Sequence, residues 1–247
     1  MADPVVHFEL MGSDRESLGR FYAELFGWHV EHMTEPPYSV IDTHARAGIN
    51  GGIGQIDDPA RQYVAVYAAT QDINATFDRA VSMGAEVLMP VTDVPGVVTL
   101  ALLLDPQGNT FGIVGAGENP GAQGDGGAPV TWFEVLGPEP KALRDFYVEL
   151  FGWEEFATYE PGDEMPAEVE YYQVHTGEGG IDGGIGGTPD GKPHLTLYAS
   201  VDDLHEVLER AESLGGKILM QPTTMASVEF AQFLDPQGNV FGLFKRT

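Results

Sequence analysis

The chain has 247 residues, 43% of them hydrophobic, with no cysteine and with 38 acidic against 12 basic side chains, a net charge of −26. Lack of cysteine excludes disulfides, thiolate metal sites and a cysteine nucleophile, and a surface this acidic repels nucleic-acid phosphates and anionic lipid. The start, Met1-Ala2-Asp3-Pro4, has neither the basic residues nor the apolar run of a signal peptide, and no stretch reaches the length of a membrane span. The expectation is a cytoplasmic protein with neither nucleic acid nor membrane as a partner. The acidic residues are dispersed along the chain, which fits a solvated surface better than a cation-binding patch.

Val5 to Met11 alternates, with Val5, His7 and Glu9 on one face and Val6, Phe8 and Leu10 on the other, and reads as a strand. Ser13 followed three residues later by Glu16 has the form of a capping box. A helix follows with Leu18, Phe21, Tyr22, Leu25 and Phe26 on one face, stopped by Gly27 in a left-handed cap. Short strands are expected at Trp28 to Met33, Tyr38 to Asp42 and Ala47 to Ile53. A strand from Tyr63 to Ala69 leads to a second helix, opened by Asp72 and closed by Gly84, with Ile73, Phe77, Ala80 and Val81 turned inward. Strands near Glu86 to Met89, Val97 to Leu104 and Asn109 to Val114 complete the plan, the last two joined by the turn residues Asp-Pro-Gln-Gly-Asn.

The whole plan then recurs. Phe21-Tyr22-Ala23-Glu24-Leu25-Phe26-Gly27-Trp28 returns as Phe146-Tyr147-Val148-Glu149-Leu150-Phe151-Gly152-Trp153, and Asp105 to Gly112 (DPQGNTFG) returns as Asp235 to Gly242 (DPQGNVFG). The chain is a tandem duplication with domains at 1–115 and 129–247 and a Gly-rich linker at 116–128. Each copy reads as strand, helix and three strands, twice over. The second copy carries an acidic insertion, Glu160 to Glu170, that reads as a solvated loop or as a lid over a cavity.

A polar residue in the first strand, then FYxELFGW, then a second strand and helix, then DPQGNxFG, resembles the vicinal oxygen chelate superfamily of glyoxalases, extradiol dioxygenases, fosfomycin-resistance enzymes and bleomycin-binding proteins. It looks closest to two-domain, actinobacterial-type members labelled hydroxylase or glyoxalase-like. The resemblance covers nearly the whole chain, twice. It implies an α+β fold of tandem duplicated domains, each of two paired βαβββ modules forming a curved mixed sheet around a cavity.

In the metal-using members a ligand sits in the first strand of each half-domain and another in its last strand. Those first-strand positions correspond here to His7 and Trp132, and the strands opening the second half-domains offer Tyr63 and His194. Where carboxylates are usual, this chain has Gly112 and Gly242, and glycine pairs at Gly51-Gly52 and Gly183-Gly184. A hard divalent ion needs three or more placed ligands. The expectation is therefore a protein without a catalytic metal cofactor, with a divalent ion held by His7, His194 and Glu9 as the alternative.

Glu9 and Glu134 occupy the same place in the duplicated strand and are the candidate proton acceptors. Their plainer role is structural, accepting hydrogen bonds from backbone or a neighbouring tyrosine. Tyr67 and Tyr198, each four residues past Tyr63 or His194, share a strand face with them and could meet a ligand. Trp28, Trp153, Phe111 and Phe241 read as packing residues, and the glycine clusters as bulges or close approaches. The expected ligand-binding set is His7, Tyr63, Tyr67, Trp132, His194 and Tyr198.

The leading expectation is a protein that binds a small organic molecule, aromatic or cationic in class, to sequester or detoxify it. The alternatives are a glyoxalase-like lyase, isomerase or dioxygenase using the residual metal site or Glu9 and Glu134 as base, and a catalytically silent interaction protein. A monomer or a homodimer fits a duplicated chain.

Overall fold

In the computed structural model, residues 2–35, 37–58, 61–117, 126–159, 170–188, 190–225 and 228–246 are described. The first copy runs β1 (Val5–Gly12), α1 (Arg15–Phe26), β2 (His29–His32), β3 (Tyr38–Asp42), β4 (Asn50–Gln55), β5 (Val64–Thr70), α2 (Ile73–Ser82), β6 (Glu86–Val94), β7 (Val98–Leu104) and β8 (Thr110–Gly115). The second repeats it as β9 (Val130–Gly137), α3 (Pro140–Phe151), β10 (Glu154–Tyr159), β11 (Tyr171–His175), β12 (Asp182–Gly187), β13 (His194–Ser200), α4 (Leu204–Ser213), β14 (Lys217–Met225), β15 (Val228–Leu234) and β16 (Val240–Arg246). Two eight-stranded sheets result, ordered β2-β3-β4-β1-β5-β8-β7-β6 and β10-β11-β12-β9-β13-β16-β15-β14. The β5–β8 and β13–β16 pairs are parallel and the hairpins antiparallel, so both sheets are mixed, as the α+β expectation requires. No helix among the described residues is long and apolar enough to cross a membrane.

The local readings hold where burial decides them. Leu18, Phe21, Tyr22, Leu25 and Phe26 are buried on α1, and Gly27 has φ 72° with its N–H on the Ala23 carbonyl. The capping box is a correction. Asp14, not Ser13, caps α1, its side chain accepting from the Ser17 N–H, while the Ser13 hydroxyl turns to Gln237. On α2 only Ala80 is fully buried; Ile73 and Phe77 are half-buried and Val81 is 42% exposed. The small Ala80 draws the helix in, and Val81 falls at the rim of that narrow stripe. The acidic insertion lies, but for Glu170, outside the described residues, and the lid reading with it.

The compact units cut across the repeat. One joins Ala65–Pro120 to Phe133–Leu195, with Met1–His7; the other joins Phe8–Val64 to Thr196–Thr247, with Gly121–Trp132. Within each, the FYxELFGW helix of one copy packs on the DPQGNxFG turn of the other. Tyr22 stacks on Trp28 (5.5 Å, 13°) beside Phe26 and Phe241, and its hydroxyl donates to Asp235 Oδ2 at 3.1 Å. In the other unit Tyr147 stacks on Trp153 (5.4 Å, 7°) beside Phe111 and donates to Asp105 Oδ2 at 3.0 Å. The two sequence echoes are the two sides of one repeated contact.

The glutamine of each turn completes it. Gln237 Oε1 accepts from the Asp14 N–H and its Nε2 donates to the Asp14 carbonyl; Gln107 does the same to Glu139 at the start of α3. A helix N-terminus has N–H groups without intrahelical partners, and here the other copy supplies one acceptor. Asp235 is held from its own side by the Gln237 and Asn239 N–H groups and the Asn239 amide. Burial raises its pKa, against the pull of those hydrogen bonds, and burial and Asp235 together keep the Tyr22 phenol protonated. Tyr22→Phe is expected to cost about 1–2 kcal/mol, measured as a lower urea midpoint at unchanged slope, with Tyr147→Phe costing a similar amount.

Candidate functional site

β1 carries His7 and Glu9 two residues apart, hence on one strand face. Glu9 Oε2 accepts from the Tyr63 hydroxyl at 3.0 Å, and the Tyr38 phenol also hydrogen-bonds Glu9. Both phenols are raised in pKa, first by burial and then by the Glu9 charge, so both remain protonated donors. Tyr38 is fixed at its own carbonyl by Arg15 Nη1 (2.6 Å), which also bonds the Met33 carbonyl. In the second copy Glu134 Oε1 accepts from Tyr171 at 2.8 Å, and Tyr171 is the repeat equivalent of Tyr38.

Tyr38 and Tyr171 were not among the candidates read from sequence. The available signal was their matched place opposite the two glycine clusters, Tyr38 pairing with Gly54 and Tyr171 with Gly186. Of the two roles read for these glycines, bulge and close approach, the structure shows close approach, by aromatic side chains. A Cβ at Gly52 would fall on the Tyr38 phenol, and one at Gly184 on that of Tyr171. Gly51 and Gly183 stand equally close to the rings of Phe8 and Phe133.

The same interlock recurs in the parallel pairs. Tyr67 of β5 is in register with Gly112 of β8, and Tyr198 of β13 with Gly242 of β16; in each case the tyrosine ring fills the volume a Cβ would need. His7 meets Tyr67 edge-on at 5.7 Å and 71°. Tyr198 crosses Gly242 to the next strand, where Gln232 Nε2 donates to its hydroxyl at 2.7 Å. Gln232 was also absent from the sequence candidates, since its counterpart in the first copy is Leu102. Trp132 is half-buried on β9, and His194 opens β13 with Nδ1 3.2 Å from the Lys192 carbonyl.

These residues do not fit a divalent metal. Four positions where an acid ligand would be sought are glycines, each with a tyrosine ring in the space its side chain would occupy. Among the described residues no group of three or more His, Asp or Glu side chains is placed to hold an ion. What the arrangement can do is donate and accept hydrogen bonds beside aromatic surface. His7 itself is a poor cation: burial takes its pKa down to about 4.

Comparison with known proteins agrees with this geometry at the level of family. The Glyoxalase-like domain family matches residues 8–114, and the Glyoxalase/Bleomycin resistance protein/Dioxygenase superfamily matches residues 130–243. DnrV, an anthracycline biosynthesis protein of Streptomyces peucetius, is 28% identical over 96% of this chain and 90% of its own length. CFP32 of Mycobacterium tuberculosis, a provisionally assigned glyoxylase, is 26% identical over 96% of this chain and 92% of its own. Among solved structures, the Mn(II)-bound glyoxalase of Novosphingobium aromaticivorans superposes with a TM-score of 0.73 at 15% identity, over 99% of this chain and 82% of that one, a likeness of fold.

Two outcomes follow from the interlocks and from His7. Gly112→Ala is expected to destabilise by about 1–3 kcal/mol in urea titration, and Tyr67→Ala in the same chain to recover part of that loss. His7, neutral in the fold at about 4 and ordinary when unfolded at about 6.5, contributes stability that is complete above pH 6.5. That contribution, about 3 kcal/mol, is lost as pH falls from 6.5 towards 4, and His7→Gln should flatten the stability profile in that window.

Proposed function

Because the chain belongs to the glyoxalase/bleomycin resistance protein/dioxygenase superfamily, we propose that it binds a small organic molecule without the superfamily's catalytic metal. The observation that carries this reading is the set of tyrosine rings seated on Gly52, Gly112, Gly184 and Gly242. An acid cannot be restored at any of these positions without displacing a ring. The groups that remain, His7, Glu9, Tyr63 and Tyr67 in the first copy and Trp132, Glu134, His194 and Tyr198 in the second, are aromatic walls with a few polar contacts. Such walls suit an organic ligand. The name of DnrV, an anthracycline biosynthesis protein, favours a polycyclic aromatic compound as the class to try first.

A second reading, an enzyme with Glu9 or Glu134 as general base, is favoured by the carboxylate–phenol contact that both copies keep. A phenol beside a carboxylate can orient an acceptor while the carboxylate takes a proton. Glu9→Gln separates the two: a base variant loses turnover, whereas a binding wall loses affinity modestly.

The test is metal analysis of protein purified without chelator, followed by titration with Fe(II), Mn(II), Ni(II) and Zn(II). The expected result is no stoichiometric metal and no thermal shift with any of the four. A stoichiometric ion that disappears in His7→Ala or His194→Ala overturns the proposal.

A further inference from the structure

Both copies seat a tyrosine on a glycine, and around that pair they diverge. In one unit Tyr67 has His7, Ala65, Leu100, Leu102 and Val114 at the surrounding positions. In the other, the repeat and the strand register give Tyr198 the counterparts Trp132, Thr196, Phe230, Gln232 and Phe244. All five have changed: Leu100 and Val114 to phenylalanine, His7 to the larger ring of tryptophan, and two from aliphatic to hydrogen-bonding side chains.

The placement follows from the strands. Thr196 is two residues before Tyr198, so the two share a face of β13. Tyr198 pairs with Gly242 and Gly242 with Gln232, and Phe244 pairs with Phe230 two residues further along β16. Gln232 and Phe244 are half-buried where their counterparts Leu102 and Val114 are buried at 7% exposure each, while Trp132 and Phe230 are half-buried as His7 and Leu100 are. Thr196 adds an independent sign. Its side chain is fully buried, and its hydroxyl meets no hydrogen-bond partner among the described residues. A buried hydroxyl without a partner is costly, and in a native protein something meets it.

We propose that the face around Tyr198 is a binding site, one per chain, for a flat aromatic compound bearing hydroxyl or carbonyl oxygens, and that the face around Tyr67 does not take it. The proposal rests on the metal-free binding reading above and names its ligand class and its copy. Phe230, Phe244 and Trp132 supply the aromatic surface, on which a planar ring gains offset or edge-on contacts. Thr196 and Gln232 supply the polar contacts that a pure hydrocarbon could not use. The ligand is uncharged or cationic, since a chain of net charge −26 repels an anion.

The probe is 1,4-dihydroxyanthraquinone, titrated by calorimetry and by tryptophan fluorescence. Trp28 and Trp153 are buried in the helix-packing clusters, at 3% and 2% exposure, so quenching reports chiefly on Trp132. The expected result is one equivalent bound per chain. Thr196→Val and Gln232→Leu should each weaken binding about tenfold, Thr196→Ser should keep it, and Leu102→Gln should leave it unchanged. Unaltered near-ultraviolet circular dichroism identifies the variants that fold. Two equivalents per chain, affinity indifferent to Thr196→Val and Gln232→Leu, or no binding by the folded wild-type protein would each overturn the proposal. A stoichiometric metal would instead sink the metal-free reading, and the two failures are read in different experiments.

Discussion

A carboxylate buried beside a phenol is the constraint on which the rest of this structure depends. Asp235 under Tyr22, and Asp105 under Tyr147, are ionisable groups that could not be buried alone. Each carboxylate is satisfied by the turn that carries it and by a helix from the other copy. Once that contact forms, the Phe-Tyr-Phe-Trp cluster closes around it and the first-turn N–H of the helix finds its glutamine. Helix position then sets where the strands lie that carry Glu9 and Glu134.

On the strands a different rule applies: absence of a side chain makes room for a ring. Gly52, Gly112, Gly184 and Gly242 each admit a tyrosine that no other residue would tolerate. At Gly112 and Gly242 the ring of the tyrosine lies over the glycine, and at Gly52 and Gly184 its hydroxyl end does. The hydroxyls meet carboxylates in Tyr38 and Tyr171, and an amide in Tyr198. At these four glycines a tyrosine occupies the space that a side chain would need.

Much of this was legible in the chain itself. The echoes FYxELFGW and DPQGNxFG announced the duplication, and the helical spacing of Leu18, Phe21, Tyr22 and Leu25 marked a face that burial bears out. That the two echoes touch one another was not legible, because the contact joins opposite copies and spacing along a chain says nothing about which copy a turn meets. Ser13 and Asp14 both carry side chains that accept from N–H groups, so residue type left the cap open; in the fold Asp14 accepts from Ser17 and Ser13 meets Gln237. Alternation along a strand placed Glu9 with His7 and Tyr63 with Tyr67; that Tyr63 meets Glu9 from another strand it could not say. Nor could it place Tyr38, Tyr171 and Gln232, for they reach the site across intervening strands, over glycines whose meaning depends on what lies above them.

The crossing of the units over the repeat also governs the order in which this protein can be made. Tyr147 and Asp105 are 42 residues apart, and the unit they close has all its parts once the chain has been synthesised to Leu195. Tyr22 waits for Asp235, 213 residues downstream. Helix α1 is thus made long before its partner, with its row of aromatic side chains exposed meanwhile. Contacts of such separation fold slowly and leave apolar surface open to the wrong neighbour. A dense negative charge along the whole chain keeps such unfinished copies apart, which gives the acidity noted at the outset a role during synthesis as well as after it.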